Sequence, residues 1–251
     1  MKTVKIGVPW LERVMQEGLP LHTVRLLSGP GGSGKPLIGD NFIAAWLRNG
    51  GSPVLMSLQY PRAEFIYESL KTIAGLDLNE YKDKICFISL DAGIDGMSNP
   101  EGNEFKANLV KPAIWDAAID KACTMVPDED PGIMVFGSAL NLLFFPPTYG
   151  QELLRKIGEL FRKKKYHTFV FSVSTTAKKE EIAVLEQAAD NLIMTRSEDE
   201  PFRLFLRIVR MKDVPFSDEE VQAPIPPKSL ANVREIAEHS SKRVIPEISK
   251  L

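Results

Sequence analysis

The sequence predicts an α/β domain: a mostly parallel sheet covered by helices, with antiparallel strands added near the C-terminal end. Three observations carry this. From Thr23 to Val173, apolar runs of strand character alternate with segments of helical periodicity. A glycine-rich turn, Gly29-Pro30-Gly31-Gly32-Ser33-Gly34-Lys35-Pro36, joins the first strand of that series to its first long helix. After Asn191, two strand-like runs follow one another with no helix between them, as in an antiparallel pair.

The elements follow in order. Val8 to Met15 reads as a short amphipathic helix ended by Gly18 and Pro20. Thr23 to Leu27 is a strand leading into the glycine-rich turn. Phe42, Ile43, Trp46 and Leu47 then recur at helical spacing until Asn49-Gly50-Gly51-Ser52-Pro53 stops the helix. Val54 to Leu58 is a second strand, Ala63 to Ile73 a helix, and Lys84 to Leu90 a third strand. Gly93 to Asn103, rich in Gly, Asn and Asp, reads as a long loop. Helix is expected from Lys106 to Met125, with Pro112 either breaking or starting it. Gly132 to Phe136 is a short buried strand. Leu153, Leu154, Ile157, Leu160 and Phe161 mark an amphipathic helix, and His167 to Val173 a further strand. Leu192 to Thr195 and Arg203 to Arg210 form the antiparallel pair, with Ser197 to Pro201 as its turn. Leu230, Val233 and Ile236 outline a last helix. The expected organisation is one domain over residues 1–251 with a helical extension from about residue 227.

Composition narrows the function classes. The 251 residues are 44% hydrophobic and 25% charged, with net charge −2, so no global excess of cations points to nucleic acid. Cys86 and Cys123 are too few for a disulfide framework, and His22, His167 and His239 are scattered without metal-ligand spacing. No apolar run has the length of a membrane span, and the N-terminus lacks the pattern of a secretion signal. The expectation is a cytoplasmic protein that does not enter membranes.

The turn carries the chemistry. Seven of its eight positions, Gly29, Pro30, Gly31, Gly32, Ser33, Gly34 and Lys35, are consistent with the phosphate-binding pattern G-x-x-x-x-G-K-[ST]. Glycines let backbone N–H groups turn inward around phosphates, the following helix presents its positive end, and Lys35 reaches the outer phosphates. The eighth position departs from the pattern. Pro36 has neither the hydroxyl that would ligate Mg²⁺ nor a backbone N–H. It suits the first turn of a helix but biases Lys35 away from helical dihedrals. The scaffold is kept while the metal site is damaged.

Further motifs stand in a telling order: Gly7-Val8-Pro9-Trp10-Leu11-Glu12 at the entry, Ser57-Leu58-Gln59-Tyr60 after the second strand, and Ile133-Met134-Val135-Phe136 followed by Gly137-Ser138. Arg210-Met211-Lys212-Asp213 comes near the end, before the acidic Ser217-Asp218-Glu219-Glu220. Together with the loop they resemble the KaiC-type branch of the RecA-like ATPases, common among archaeal proteins, over roughly residues 5 to 230. The resemblance implies a RecA-like P-loop three-layer fold and ATP or ADP as ligand. It implies Ser-Leu-Glu-Glu where this chain has Gln59 and Tyr60, and an aspartate at the magnesium shell where this chain has Gly137. Gln59 orients water but does not take its proton, and Tyr60 is no base near neutral pH. With Pro36, three positions of one mechanism are altered together, so no catalytic residue is expected and Mg²⁺ is not.

In hexameric relatives the Lys-Met-Arg region faces a neighbour's nucleotide, so the resemblance offers Arg210 and Lys212 as contacts in trans. The alternative is a charged strand edge that resists aggregation. Phe144 and Phe145 either form a partner-binding patch or tuck beneath their loop as core. Ser172, Ser174, Thr175 and Thr176 sit at a strand end that faces nucleotide in RecA-like folds, and equally suit a turn. Arg162-Lys163-Lys164-Lys165 reads as a helix-end cap or a phosphate contact. Asp40 and Asp91 are carboxylates able in principle to approach a metal. The functional expectation is a pseudo-ATPase acting as a nucleotide-binding or an assembly/regulatory subunit, holding ATP or ADP weakly, with itself or an active RecA/KaiC-like relative as partner. The alternatives are a slow ATPase or autokinase, a peptide- or protein-interaction module without nucleotide, and a DNA-recombination accessory protein.

Overall fold

A computed structural model of the chain describes residues 2–59, 64–163, 166–199, 202–224, 229 and 239–251. The chain opens with a two-stranded ribbon, β1 (Thr3–Val4) and β2 (Leu19–Pro20), bracketing the short helix α1 (Pro9–Glu12). The main sheet then begins with β3 (Val24–Gly29), which delivers the glycine-rich turn into α2 (Lys35–Arg48). There follow β4 (Ser52–Ser57), α3 (Glu64–Ala74), β5 (Cys86–Leu90), β6 (Glu104–Ala107), α4 (Pro112–Thr124), β7 (Ile133–Gly137), α5 (Gly150–Arg162), β8 (Thr168–Ser174) and α6 (Lys179–Ala188). The chain continues with β9 (Asn191–Asp199), β10 (Phe202–Arg210), β11 (Val221–Ala223) and the C-terminal turn of helix α7 (Ile245–Ile248).

The nine strands lie in the order β11-β10-β9-β3-β8-β7-β4-β5-β6. Seven, from β9 to β6, are parallel; β10 alone is reversed, pairing antiparallel with β9 on one side and with β11 on the other. From β3 the chain crosses to β4 and later returns through β7 and β8, while β9 adds on the other side. This reversal of winding places the carboxyl end of β3 at a topological switch point, where open α/β sheets take their ligands.

Helices cover both faces. On one, α2 packs so deeply that Leu37 through Leu47 are all buried, polar Asp40 and Asn41 included. Its sequence is accordingly apolar nearly all round. Gly39 is required here, because a Cβ would overlap the Phe136 ring of β7. On the opposite face, Trp115 of α4 and Phe161 of α5 gather around Phe171 of β8, with ring centroids 6.3 and 5.9 Å away. Ile248 of α7 is buried in that same core.

Several expectations change in detail. Lys106 lies in strand β6, paired in parallel with β5, and α4 starts at Pro112, whose missing N–H costs nothing at a helix start. The turn expected at Ser197 is strand as far as Asp199, held by Arg196 and Arg203, which both pair with Glu198. Leu192 to Thr195 and Arg203 to Arg210 do form an antiparallel pair, β9 with β10, and β9 also joins the parallel sheet beside β3. Leu230, Val233 and Ile236 lie outside the described residues.

Candidate functional site

β3 ends at Gly29, and the loop to α2 is held from two sides. On one, Gly31 N–H donates to Thr176 Oγ1 at 3.0 Å, and Thr175 N–H donates to Gly29 O at 2.9 Å. On the other, Ser33 Oγ and Thr195 Oγ1 of β9 share a 2.7 Å hydrogen bond, and Thr195 Oγ1 also donates to Ser28 O. Gly34 caps α2 in the left-handed region at φ +65°, and a Cβ there would overlap Leu204 of β10. Only glycine meets both demands. The β9–β10 hairpin therefore clamps the loop, a role not legible in sequence for Thr195 or Leu204. Thr176 was legible only as one of several hydroxyls at a strand end.

Lys35 is 5% exposed. Its Nζ donates to Gly29 O at 2.9 Å, Pro30 O at 2.5 Å and Ser33 Oγ at 2.9 Å. All three donor positions of the ammonium are thus turned into its own loop. Burial pushes Lys35 down to about 7, because the charged form has lost its water. An arriving phosphate chain would meet a helix N-terminus, the left-handed glycines Gly32 and Gly34, and a cation whose present partners are neutral oxygens. These residues fit an anionic phosphate group.

They do not fit a magnesium ion. Pro36 sits in the first turn of α2 without a hydroxyl. A Cβ on Gly137 would stand 3.0 Å from Phe171 Cδ1 and 3.7 Å from Met56 Cβ, so this position is directed at the aromatic core opposite α2. Neither alternative carboxylate approaches the loop. Asp40 faces α3, where Ser69 Oγ donates to it, and burial raises it to about 7. Asp91 follows β5, four strands from β3, accepting from Gly93 N–H with Lys106 Nζ 3.9 Å away. Gln59 lies half-buried just beyond β4; Tyr60 lies outside the described residues.

The remaining candidates are dispersed. Arg210 and Lys212 lie at the far end of β10 from the loop. Arg210 donates to the carbonyls of Glu186 and Ala189, at 2.5 and 2.7 Å, and so caps the C-terminus of α6. Lys212 pairs with Asp190 at 3.0 Å. Both cations are engaged within their own chain. Phe144 is 3% exposed and belongs to the core, so of its two readings the buried one holds in the structure. Phe145 is half-buried against it, with Lys178 Nζ 5.6 Å from the ring centroid. Of the basic run, Arg162 closes α5 and Lys163 pairs with Glu159, while Lys164 and Lys165 lie outside the described residues.

A parallel sheet with this winding, a P-loop at its switch point and a reversed C-terminal hairpin is a RecA-like arrangement. The family model "ATPase: KaiC" matches residues 4–238. The chain belongs to the KaiC ATPase family. Among solved structures it resembles the KaiC-like protein PH0186 from Pyrococcus horikoshii, at TM-score 0.69 and 17% identity. The match covers 90% of this chain and 96% of that one. The flagellar accessory protein FlaH from Methanocaldococcus jannaschii superposes at TM-score 0.66 with 13% identity and the same coverages. At these identities the likeness is one of fold. In sequence, the chain is 26% identical over 138 residues to a UPF0273 protein of Aeropyrum pernix, spanning 49% of this chain and 55% of that protein. It is 30% identical over 102 residues to one from Pyrobaculum aerophilum, spanning 40% and 35%. The matched stretch is thus about half or less of these relatives' length.

Proposed function

We propose that this KaiC-family protein binds ATP or ADP through Gly29–Lys35 without metal-assisted hydrolysis, and serves as a nucleotide-responsive assembly or regulatory subunit. One observation carries this reading. The loop keeps its glycines and its lysine in a formed, clamped geometry, while the two neighbouring positions that would hold magnesium are Pro36 and a Gly137 directed away from α2. The nucleotide would supply an anionic phosphate chain. Lys35 would exchange two carbonyls and a hydroxyl for that charge, regaining electrostatic compensation for its burial.

The partner class that accompanies this role is a second copy of the chain or an active relative of the same family. The domain is read as single, because Ile248 near the C-terminus is buried in the core formed by α4 and α5. Among the described residues no helix is long and apolar enough to cross a membrane, and we place the protein in the cytoplasm. Burial of Phe144 weighs against the aromatic patch of an interaction module at that loop. A phosphate-release assay with ATP and Mg²⁺ tests the reading. No turnover above a Lys35→Ala control is expected, and magnesium-dependent turnover lost in that control would defeat it.

A further inference from the structure

On the face of the sheet that carries α2, three buried serines follow one another across the carboxyl ends of adjacent strands: Ser57 of β4, Ser138 just past β7 and Ser172 of β8. Their alignment follows from the register, since Met56, Gly137 and Phe171 are paired one residue below. Their facing follows from alternation. Phe136 meets α2 at Gly39, Gly137 is directed at Phe171 on the opposite face, and Ser138 returns to the α2 side. Level is fixed as well. From Phe136 to Ser138 a strand advances about 6.6 Å, and from Gly39 back to Lys35 a helix advances about 6 Å. Ser138 therefore stands level with Lys35, at the positive end of α2.

Ser138 is 0% exposed, and its Oγ has no hydrogen-bond partner among the described residues. A buried hydroxyl without a partner is an exception that calls for a cause. The turn that places it is itself built. Ala139 adopts φ +56°, a conformation disfavoured for a residue with a Cβ, and Ser172 Oγ accepts its N–H at 3.0 Å.

We propose that the Ser138 hydroxyl is the donor that reads the terminal phosphate of a nucleoside triphosphate, at the place where magnesium finds no ligands; this rests on the nucleotide-binding reading. The loop amides cradle the inner phosphates and the lysine reaches the outer ones. A donor two strands away from β3 and level with Lys35 meets what extends beyond them. The site then distinguishes triphosphate from diphosphate by a neutral hydrogen bond.

The test is calorimetric titration of ATP and of ADP in EDTA, for the intact protein and for Ser138→Ala, with a melting curve of each. The intact protein should bind ATP more tightly than ADP. Ser138→Ala should lose about tenfold or more in ATP affinity, as expected for a hydrogen bond to a charged group. ADP affinity should stay within about twofold, and the free protein should melt no lower, since no hydrogen bond is lost. Ser138→Cys, close in size but a weak donor, should follow the alanine variant. Equal loss for both nucleotides, unchanged ATP affinity, or a lowered melting temperature overturns the assignment to Ser138 alone. An intact protein that binds neither nucleotide overturns the nucleotide reading and this assignment with it.

Discussion

Replacing Lys35 with methionine should make the protein more stable at pH 6 and should remove a pH dependence. The ammonium is 5% exposed, its folded-state value is pushed from 10.5 down to about 7, and the cause is desolvation. Below pH 7 both folded and unfolded chains hold the proton, and the folded state bears the full penalty. Between pH 7 and 10.5 the unfolded chain keeps a proton that the folded chain has released, so stability rises with pH. The interval corresponds to an upper bound of about 5 kcal/mol at 1.36 kcal/mol per unit. Methionine removes the charge and leaves Gly29 O, Pro30 O and Ser33 Oγ without that donor, at about 1 kcal/mol each. The expected net gain is about 2 kcal/mol at pH 6, shrinking and then reversing as the pH approaches 10. Urea denaturation of both proteins at pH 6, 8 and 10 measures it. A variant less stable than the parent at pH 6, or with an unchanged pH slope, would refute the claim that a buried, under-compensated ammonium sits in this loop.

Other outcomes follow from the same packing. Asp40 is raised to about 7 by burial, so its contribution to stability is greatest below pH 3.8 and is lost as the pH rises through 7. Asp40→Asn, which retains an acceptor for Ser69, should gain about 1–3 kcal/mol at pH 8 and little at pH 4 in urea denaturation. Arg25 of β3 is 0% exposed, its guanidinium nitrogens have no hydrogen-bond partner among the described residues, and it lies 5.3 Å from the Phe42 ring centroid. Arg25→Met should raise stability by about 1–4 kcal/mol, and a loss of that size would reveal a compensation not visible in the fold. Gly39→Ala should cost about 1–3 kcal/mol because the methyl overlaps Phe136, with thermal denaturation as the readout.

The architecture was largely legible because its carriers are local. A strand, a glycine turn and an apolar helix stand consecutively at β3, Gly29–Lys35 and α2, and their periodicity survives folding. Not every short element was legible. β6 has four residues, Glu104–Ala107, an alternation too brief to stand out beside the helical pattern that follows, and its pairing with β5 needs the fold. The site was legible where one segment supplies it and hidden where distant segments meet. Thr195 and Leu204 clamp the loop only because β9 lies beside β3, a neighbour set by winding. Gly137 was readable as a missing carboxylate, but its direction toward Phe171 depends on register. Ser138, like Ser52 and Ser229, is buried with its hydroxyl unpartnered among the described residues, which composition does not reveal. Arg210 read as a charge at a strand edge; its engagement with the end of α6 needs the fold.

The measurement that bears most directly on the central claim is a calorimetric titration of ATP and ADP, with and without Mg²⁺, beside Lys35→Ala. Binding that requires Lys35 and is indifferent to Mg²⁺ is the expected result. Binding strengthened by Mg²⁺ and lost in Lys35→Ala would contradict it, because it would demand metal ligands where Pro36 and Gly137 offer none.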